Sequence, residues 1–409
     1  MNRLKESYIL KAALIVFSTV GAAFLNFILQ IIYARNLSIE DYSQLSLYLN
    51  FILLIMPVVG AGVQNFWIKC SAKKPENFIY WVVPSLNFIK ITFLISLIFH
   101  VLFCVIYVEG SYLVYFLITF FILSQVAIDL INSINIINKD TLNYIFWRCF
   151  APFLRLLLVL GLIVLGLIDL LYIGLVYFVS CIFPVYYFFK KIKKYKSEDT
   201  IYNSLDVFKN CWMYSASGIL YLVYLQSNSL IIPYFYDIKY VGLFNIPVLL
   251  ITVVLMFPTI LFQKVFALRI NEVFYNDKKL LKEIIKKSNI IMFFSGCFTT
   301  LCFYLLSPLI VKYFFGENYF ESIKLIKILA FLIPFAFVIT PMSSIHIRKK
   351  DLYTKVYIML FIAILHVILI FSFQPYYGVE VFAYVTVFSY FLLSICFFFS
   401  SRYLVERVE

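Results

Sequence analysis

Long apolar segments alternate with short polar ones along the whole chain, and most apolar segments run for 20 residues or more. Runs of that length are typical of helices that cross the bilayer core, which is about 30 Å thick and takes about 20 residues per helix. Twelve spans are predicted, at 12–34, 43–66, 82–107, 112–135, 144–168, 170–189, 208–232, 240–263, 289–314, 323–345, 353–373 and 379–400. The pattern predicts an all-α integral membrane protein.

The seventh predicted span carries a stripe of polar side chains. Tyr214, Tyr221 and Asn228 recur every seven residues, and Ser217 and Tyr224 lie alongside them on the helix. A membrane helix with hydroxyls and an amide on one face is typical of the lining of a polar cavity. The alternative is that the tyrosines pack against neighbouring helices.

Composition excludes a soluble domain, because 64% of the residues are hydrophobic, 13% are charged and the mean hydropathy is +0.96. The apolar run at 12–32 is too long for a signal peptide and lacks a small-residue cleavage site, so it is predicted to remain as the first helix. The eight cysteines lie in or beside apolar runs, and no disulfide framework, metal site or cofactor is expected. His100, His346 and His366 are isolated and are predicted to be packed or interfacial.

The net charge of +13 indicates membrane orientation rather than a nucleic-acid partner. Of the 34 Lys and Arg residues, 27 lie in or beside the termini and alternate loops, such as 190–196, 278–287 and 348–350. Basic loops stay in the cytoplasm, so both termini are predicted to be cytoplasmic in a multi-pass protein.

The loops on the opposite side are too short to hold a catalytic domain, as at 108–111 and 374–378. The longest polar segments, 190–207 and 264–288, are both predicted to be cytoplasmic. The second has amphipathic spacing and many lysines, which predicts a helix on the anionic inner membrane surface.

The basic segment 190–207 is predicted to link two six-helix bundles, at 1–189 and 208–409. A weak internal repeat supports this division. The first helix ends in RNLSIEDYSQLSLYLN and the seventh in YFYDIKYVGLFNIP, and aligning Tyr42 with Tyr240 continues both into a long apolar helix. Such repeats are common in transporters.

Five short pieces, in the same order as in the family, carry a resemblance to a known family. They are ARNLSIEDYSQ, GAGVQNFWIK, LIIPYFYDIKYVGLFNIP, FFGENYFESIKLIKIL and YYGVEVFAYVTVFSY. The chain resembles the polysaccharide-exporter branch of the multidrug/oligosaccharidyl-lipid/polysaccharide flippase superfamily, and is most similar to O-antigen flippases of the Wzx type. Two departures stand out: Asn228 replaces an acid that many relatives carry, and Ser43 and Gln44 stand where the first turn usually has a glycine.

The resemblance implies two six-helix bundles around a V-shaped central cavity that works by alternating access. It implies that undecaprenyl-diphosphate-linked oligosaccharide moves to the periplasmic leaflet of the bacterial cytoplasmic (inner) membrane, during O-antigen and lipopolysaccharide biosynthesis. The implied partners are membrane lipids, a polysaccharide polymerase, a chain-length regulator, and a proton or sodium ion for coupling.

Arg155 lies near the middle of the fifth span, where an unpaired cation costs at least about 2.5–3.5 kcal/mol. Arg148 lies on the same face, about 10 Å away along the helix. If spans four and five form a hairpin that turns near Asp140, Asp129 lies level with Ala151, between the two arginines. The three side chains form either an internal ion pair or a relay, in which Asp129 releases an arginine to an anionic substrate or takes up a proton as the coupling residue.

A diphosphate needs cations, and sugars need amides, hydroxyls and aromatic faces. The candidate substrate-binding residues are Arg155, Arg148, Arg35, Lys69, Lys90, Lys209, Lys264, Asn26, Gln30, Tyr214, Tyr221 and Asn228. For the lysines, the alternative is that they extend to the membrane surface. For the polar residues, the alternative is that they stabilise the packing of membrane helices against each other.

Two other functions compete with the flippase. A multidrug cation exporter of the same superfamily needs buried carboxylates, and the clear candidates are Asp129 and Glu380. A polytopic polysaccharide polymerase or ligase needs a large external loop with an acid–base pair or nucleophile, and the sequence has no such loop. The sequence therefore predicts a transporter and not an enzyme.

Overall fold

The computed structural model describes residues 2–71, 75–108, 110–195, 202–262, 266, 270, 273, 277–346 and 349–407. The first helices are α1 (Asn2–Asn36), α2 (Ile39–Gly60), α3 (Val63–Ser71), α4 (Ile79–Tyr107), α5 (Tyr112–Ile137), α6 (Thr141–Val164) and α7 (Leu170–Ile192). They are followed by α8 (Ser204–Phe235), α9 (Lys239–Ile260), α10 (Lys278–Ile310), α11 (Ser322–Leu329), α12 (Ile333–Ser344), α13 (Lys349–Tyr377) and α14 (Glu380–Arg407). No strand occurs in these ranges.

Each of the twelve predicted spans coincides with a helix or with a pair of consecutive helices, so the all-α membrane fold is confirmed. Eleven segments of the described chain are long and apolar enough to cross a membrane. The helix that is not among them is α8, although its 32 residues exceed the length of a span. Its four consecutive polar residues at 226–229 lower its hydropathy.

Two of the predicted spans are interrupted helices. The second predicted span divides into α2 and α3 at Ala61 and Gly62, which both have positive φ angles (44° and 72°). A Cβ on Gly62 would lie 2.6 Å from the Cβ of Tyr214, so this close approach requires glycine. The tenth predicted span divides into α11 and α12 around a 3₁₀ turn at Ala330–Leu332.

By their contacts the helices form two compact units. Unit 1 comprises Met1–Leu37 and Tyr48–Ile219, and unit 2 comprises Ser38–Leu47 and Leu220–Glu409. The chain passes into unit 2 between Leu37 and Ser38, returns to unit 1 within α2, and enters unit 2 again within α8. The described residues of the predicted linker, 190–195 and 202–207, lie in unit 1 together with the first half of α8, in which the Ser215 hydroxyl donates to the Pro57 carbonyl oxygen of α2 at 2.7 Å.

Within unit 1, α5 and α6 form the predicted hairpin, which turns at Asp140. The Asp140 carboxylate caps α6 by accepting from the Asn143 backbone N–H at 3.2 Å and from its side-chain amide at 2.6 Å. The Asn143 side chain lowers the pKa of Asp140, and a smaller lowering comes from the Asn143 backbone and Lys191. The hairpin brings α6 beside α5, which places Arg148 next to Asp129.

Within unit 2, the basic segment 264–288 is predicted to form a helix on the membrane surface. Its described part at 278–288 is helical and forms the first three turns of α10, which continues without a break into the ninth predicted span. Asp277 starts this helix by accepting from the Leu280 N–H at 2.9 Å. Much of the earlier part of the segment, including Lys264, lies outside the described residues.

The contact between α10 and α12 depends on a glycine. A Cβ on Gly296 would lie 2.6 Å from the Cα and 3.1 Å from the N of Pro334. These are backbone atoms, so α12 itself would have to shift. We expect Gly296→Ala to lower the free energy of unfolding by about 1–3 kcal/mol, measured by thermal unfolding in detergent.

The matched control is Gly161→Ala on α6, where no heavy atom lies within 4 Å of the added Cβ. This variant should unfold at or above the wild-type temperature, because alanine favours the helix more than glycine does. Equal unfolding temperatures for the two variants would contradict the close packing of α10 on α12.

Candidate functional site

The candidate residues of unit 1 include an ion pair between α6 and α5. Arg148 Nη1 lies 3.3 Å from Asp129 Oδ1, and the two side chains are 29% and 24% exposed. Gln125 donates to the same carboxylate oxygen at 3.4 Å. The Asp129 charge is therefore compensated within the hairpin.

The second arginine of α6 has a different environment. Arg155 is 3% exposed, and its Nε donates to the carbonyl oxygen of Ala151 at 3.3 Å. The guanidinium carbon lies 4.8 Å from the ring centre of Phe121 and 5.2 Å from that of Tyr177. Two aromatic faces thus hold this cation through cation–π contacts.

Tyr33 of α1 completes the surroundings of Arg155. Its side chain is fully buried, and it interacts electrostatically with both Tyr177 and Arg155. We call Tyr33, Phe121, Arg155 and Tyr177 the arginine cluster. Within the described ranges, no carboxylate lies within 4 Å of Arg155. Asp129 pairs with Arg148 and not with Arg155, which lies seven residues, about two turns, further along α6.

Lys69 and Tyr214 come together at the end of α3. The Lys69 ammonium group donates to the Tyr214 hydroxyl at 3.5 Å and lies 6.0 Å from the ring centre. Lys69 is exposed and Tyr214 is half-buried. Gly62 packs closely on the Cβ of Tyr214, and the Lys69–Tyr214 pair presents a cation and a phenol together.

Lys90 of α4 lines an apolar cavity of about 610 Å³ in unit 1. The lining comes from α2, α4, α5 and α7, and most of it is aliphatic or aromatic. Asn87 and Lys90 are its polar members. The cavity therefore combines room for an apolar chain with one amide and one cation.

The other candidates of unit 1 are distributed along α1 and the start of α8. Asn26 is exposed and Gln30 is half-buried on α1, and Arg35 is exposed in the last turn of that helix. Lys209 is exposed near the start of α8. Within the described chain, no hydrogen bond or ion pair joins Asn26, Gln30 or Lys209 to the arginine cluster.

The candidates of unit 2 lie on the second half of α8. Tyr221 is 46% exposed, whereas Asn228 is fully buried. Residues seven apart drift by about 20° around a straight helix, so they do not keep an identical environment. The Asn228 amide donates to Thr386 Oγ1 at 2.9 Å and to the Tyr224 carbonyl oxygen at 3.2 Å. In this conformation it joins α8 to α14.

Sequence reasoning missed the partners of these residues. His366 of α13 was predicted to be isolated, but its Nε2 lies 3.1 Å from Asn228 Oδ1 and its Nδ1 lies 2.9 Å from Ser389 Oγ. The feature of the sequence that could have indicated a polar contact here is a histidine in the middle of a long apolar helix. Phe121 and Tyr177 were missed because nothing in the sequence distinguishes them from other packed aromatics. Among the described residues, no group of His, Cys, Asp and Glu is arranged to hold a metal.

The model of the family described as polysaccharide biosynthesis protein matches residues 10–267, more than half of the chain. No curated protein sequence matches the chain significantly.

Solved structures share the fold over nearly the whole chain. One is lipid II flippase MurJ in an inward closed conformation, with 17% identity and a TM-score of 0.66, covering 96% of this chain and 87% of that chain. Another is an inward-facing multidrug resistance MATE family transporter of the MOP superfamily, with 15% identity, a TM-score of 0.69 and 94% coverage of both chains. A Vibrio cholerae MATE transporter is similar at 10% identity and a TM-score of 0.57, covering 99% of this chain and 98% of that one. At these identities the likeness shows the fold alone.

The Arg148–Asp129 pair generates a stability prediction. Asp129→Asn leaves Arg148 without its counter-ion, and we expect the free energy of unfolding to fall by about 1–3 kcal/mol. The value is below that of a fully buried pair, because both side chains are about one quarter exposed. Thermal unfolding in detergent measures it.

The double variant Asp129→Asn with Arg148→Gln removes both charges, so it should recover more than half of that loss. The same double change with Arg155→Gln in place of Arg148→Gln is the control and should recover nothing. If the variant with Arg155→Gln recovered the lost free energy of unfolding instead, Asp129 would be paired with Arg155 and not with Arg148.

Proposed function

Because the chain belongs to the polysaccharide biosynthesis protein family, we propose that it is a flippase that carries a lipid-linked oligosaccharide across the membrane. The substrate class is an undecaprenyl-diphosphate-linked repeat unit of the O-antigen kind, as the resemblance of the five sequence pieces implies. The protein works by alternating access, as the same resemblance implies. The repeat unit then passes to a polymerase and a chain-length regulator.

The observation that carries the proposal is the uncompensated cation of the arginine cluster. Arg155 is buried in a membrane helix, and its partners are Phe121, Tyr177, Tyr33 and the carbonyl oxygen of Ala151, none of which is a carboxylate. A buried guanidinium without a carboxylate attracts an anion, and its planar fork suits a diphosphate. The neighbouring tyrosines offer hydroxyls and aromatic faces, which are the groups that bind sugars.

The same charge balance argues against the alternative, a multidrug cation exporter. The fold is shared with MATE transporters, so the fold does not separate the two functions. An organic cation needs a free buried carboxylate, and the Asp129 carboxylate already holds Arg148 and Gln125. Within the described part of unit 1, the buried charge left without a counter-ion is therefore positive.

The cavity beside Lys90 supports a lipid-linked substrate. An isoprenoid chain is apolar and a diphosphate is anionic, so the pair suits an apolar cavity of about 610 Å³ with a lysine at its lining. Lys69, Lys209, Arg35 and Lys264 remain proposed contacts for the diphosphate. Asn26, Gln30, Tyr214 and Tyr221 remain proposed contacts for the sugars.

Arg155→Ala is expected to reduce surface polysaccharide at least about tenfold, because a hydrogen bond to a charged group is worth about 1.5–3 kcal/mol. Arg155→Lys keeps the charge but loses the fork and should restore part of the activity. The measurement is the amount of surface polysaccharide per membrane-inserted, folded protein.

Arg402→Ala is the matched control. Arg402 also lies over an aromatic ring, 5.2 Å from the centre of Phe398, but it is exposed near the end of α14. Its removal should leave surface polysaccharide unchanged. Wild-type polysaccharide levels from a folded Arg155→Ala protein would refute the role of the arginine cluster.

We propose that the protein spans the inner membrane of a bacterium and that both of its termini lie in the cytoplasm. A reporter that is active only after export should be silent when fused after Glu409, because basic loops are retained on the cytoplasmic side. The same reporter placed at 374–378 should be active. An active fusion after Glu409 would overturn the orientation.

A further inference from the structure

A buried polar cluster in unit 2 joins three membrane helices around a single histidine. It consists of Tyr224 and Asn228 of α8, His366 of α13, and Thr386 and Ser389 of α14, and we call it the histidine cluster. His366 and Asn228 are both fully buried. The Tyr224 hydroxyl also donates to the carbonyl oxygen of Met359 on α13. The side-chain contacts between its members therefore link α8 to α13, α8 to α14 and α13 to α14.

The hydrogen bonds determine which nitrogen of His366 carries the proton. The Asn228 amide donates to a carbonyl oxygen, that of Tyr224, so its Nδ2 is the end that faces Tyr224 and its Oδ1 faces His366. Because Oδ1 is an acceptor, Nε2 of His366 is the N–H donor. Nδ1 is then the acceptor, and the Ser389 hydroxyl donates to it at 2.9 Å. The neutral Nε2–H form satisfies both nitrogens.

A second proton can bind to the ring only at Nδ1. The Ser389 hydroxyl can rotate and accept instead of donating, so the hydrogen bond survives while the ring gains a full positive charge. The membrane span that contains His366 runs from Asp351 to Tyr377. Along the helix axis, His366 lies about 22 Å from the first of these residues and about 16 Å from the second. The charge would therefore appear near the middle of the membrane, where it is costly without hydration or a counter-ion.

The groups that face His366 do not supply that counter-ion. The Tyr224 ring lies edge-on at 6.0 Å, and Tyr390 of α14 packs on Tyr224 at 5.9 Å. Tyr221 and Cys396 are the next titratable neighbours. No charged side chain among the described residues interacts with the ring.

We propose that His366 is a proton-binding site, and that a proton added at Nδ1 controls how α8 packs against α13 and α14. The neutral ring holds α8 through Asn228, as in this structure. The charged ring favours an arrangement in which water reaches the cluster, so α8 loosens from its partners. The proton comes from water on one side of the membrane and returns to water when the ring is neutral again.

The proton site deepens the proposed function and rests on it only for its use in transport. There, protonation of His366 drives the change of access and makes this residue the coupling group in place of Asp129. The carboxylate of Asp129 is already paired with Arg148, whereas the two nitrogens of His366 bond only to neutral groups, Asn228 and Ser389.

The chain has three histidines, so the ring can be observed directly. Protein labelled with ring-¹⁵N histidine is placed in lipid nanodiscs, without substrate, and its NMR spectrum is followed from about pH 8 to about pH 5. His366→Gln assigns the signal by its loss. We expect the Nε2–H form at high pH and uptake of one proton at Nδ1 on acidification. A ring that starts as Nδ1–H, or stays neutral while the protein remains folded, overturns the proposal.

His346→Gln is the matched control for transport. His346 is also buried, with Nδ1 3.2 Å from the Met342 carbonyl oxygen and Nε2 2.9 Å from Ser400 Oγ, but it lies beyond the end of α12. Wild type and His346→Gln should change transport at least about fivefold over that pH range, and His366→Gln less than about twofold. Equal pH dependence in all three overturns the coupling role, and a titrating ring without any oligosaccharide transport refutes the proposed function instead.

Discussion

The cost of placing polar and charged groups inside a membrane determines how this protein is built. A bilayer core offers no water, so each such group must find its partner within the protein. Arg148 has Asp129, Arg155 has two aromatic rings and a carbonyl oxygen, and the Asn228 amide has His366 and Thr386. Each of these contacts joins different helices, apart from the carbonyl bond within α6.

The two units differ in the kind of polar group that they bury, which suggests that they have different functions. In unit 1, Arg148 forms an ion pair with Asp129, whereas the buried Arg155 has no carboxylate partner among the described residues. Unit 2 contains, around Asn228, groups that are all neutral and all hydrogen-bonded. An unbalanced cation attracts an anionic substrate, whereas a neutral network around a histidine can respond to a proton. In this account substrate binding and coupling lie in separate units, and α8 contributes to both.

The elements that depend on local pattern could be predicted from the sequence. The spans follow from apolar length, and the α5–α6 turn follows from the polar residues around Asp140, which caps α6. Which arginine meets Asp129 depends on how far α5 and α6 are shifted along each other, and a shift of about two turns separates the two outcomes. The contact of Asn228 with His366 joins residues 138 positions apart, so no local pattern indicates it. The division at Gly62 depends on packing against Tyr214.

The central claim is that this protein moves an anionic lipid-linked oligosaccharide between leaflets. The most direct measurement is the leaflet distribution of undecaprenyl-diphosphate oligosaccharide in a strain that lacks the protein, compared with the same strain supplied with it. We expect accumulation on the cytoplasmic side without the protein and transfer to the periplasmic side with it. Normal delivery of single units to the periplasmic side without the protein, together with failed chain elongation, would refute the flippase function and indicate a polymerase.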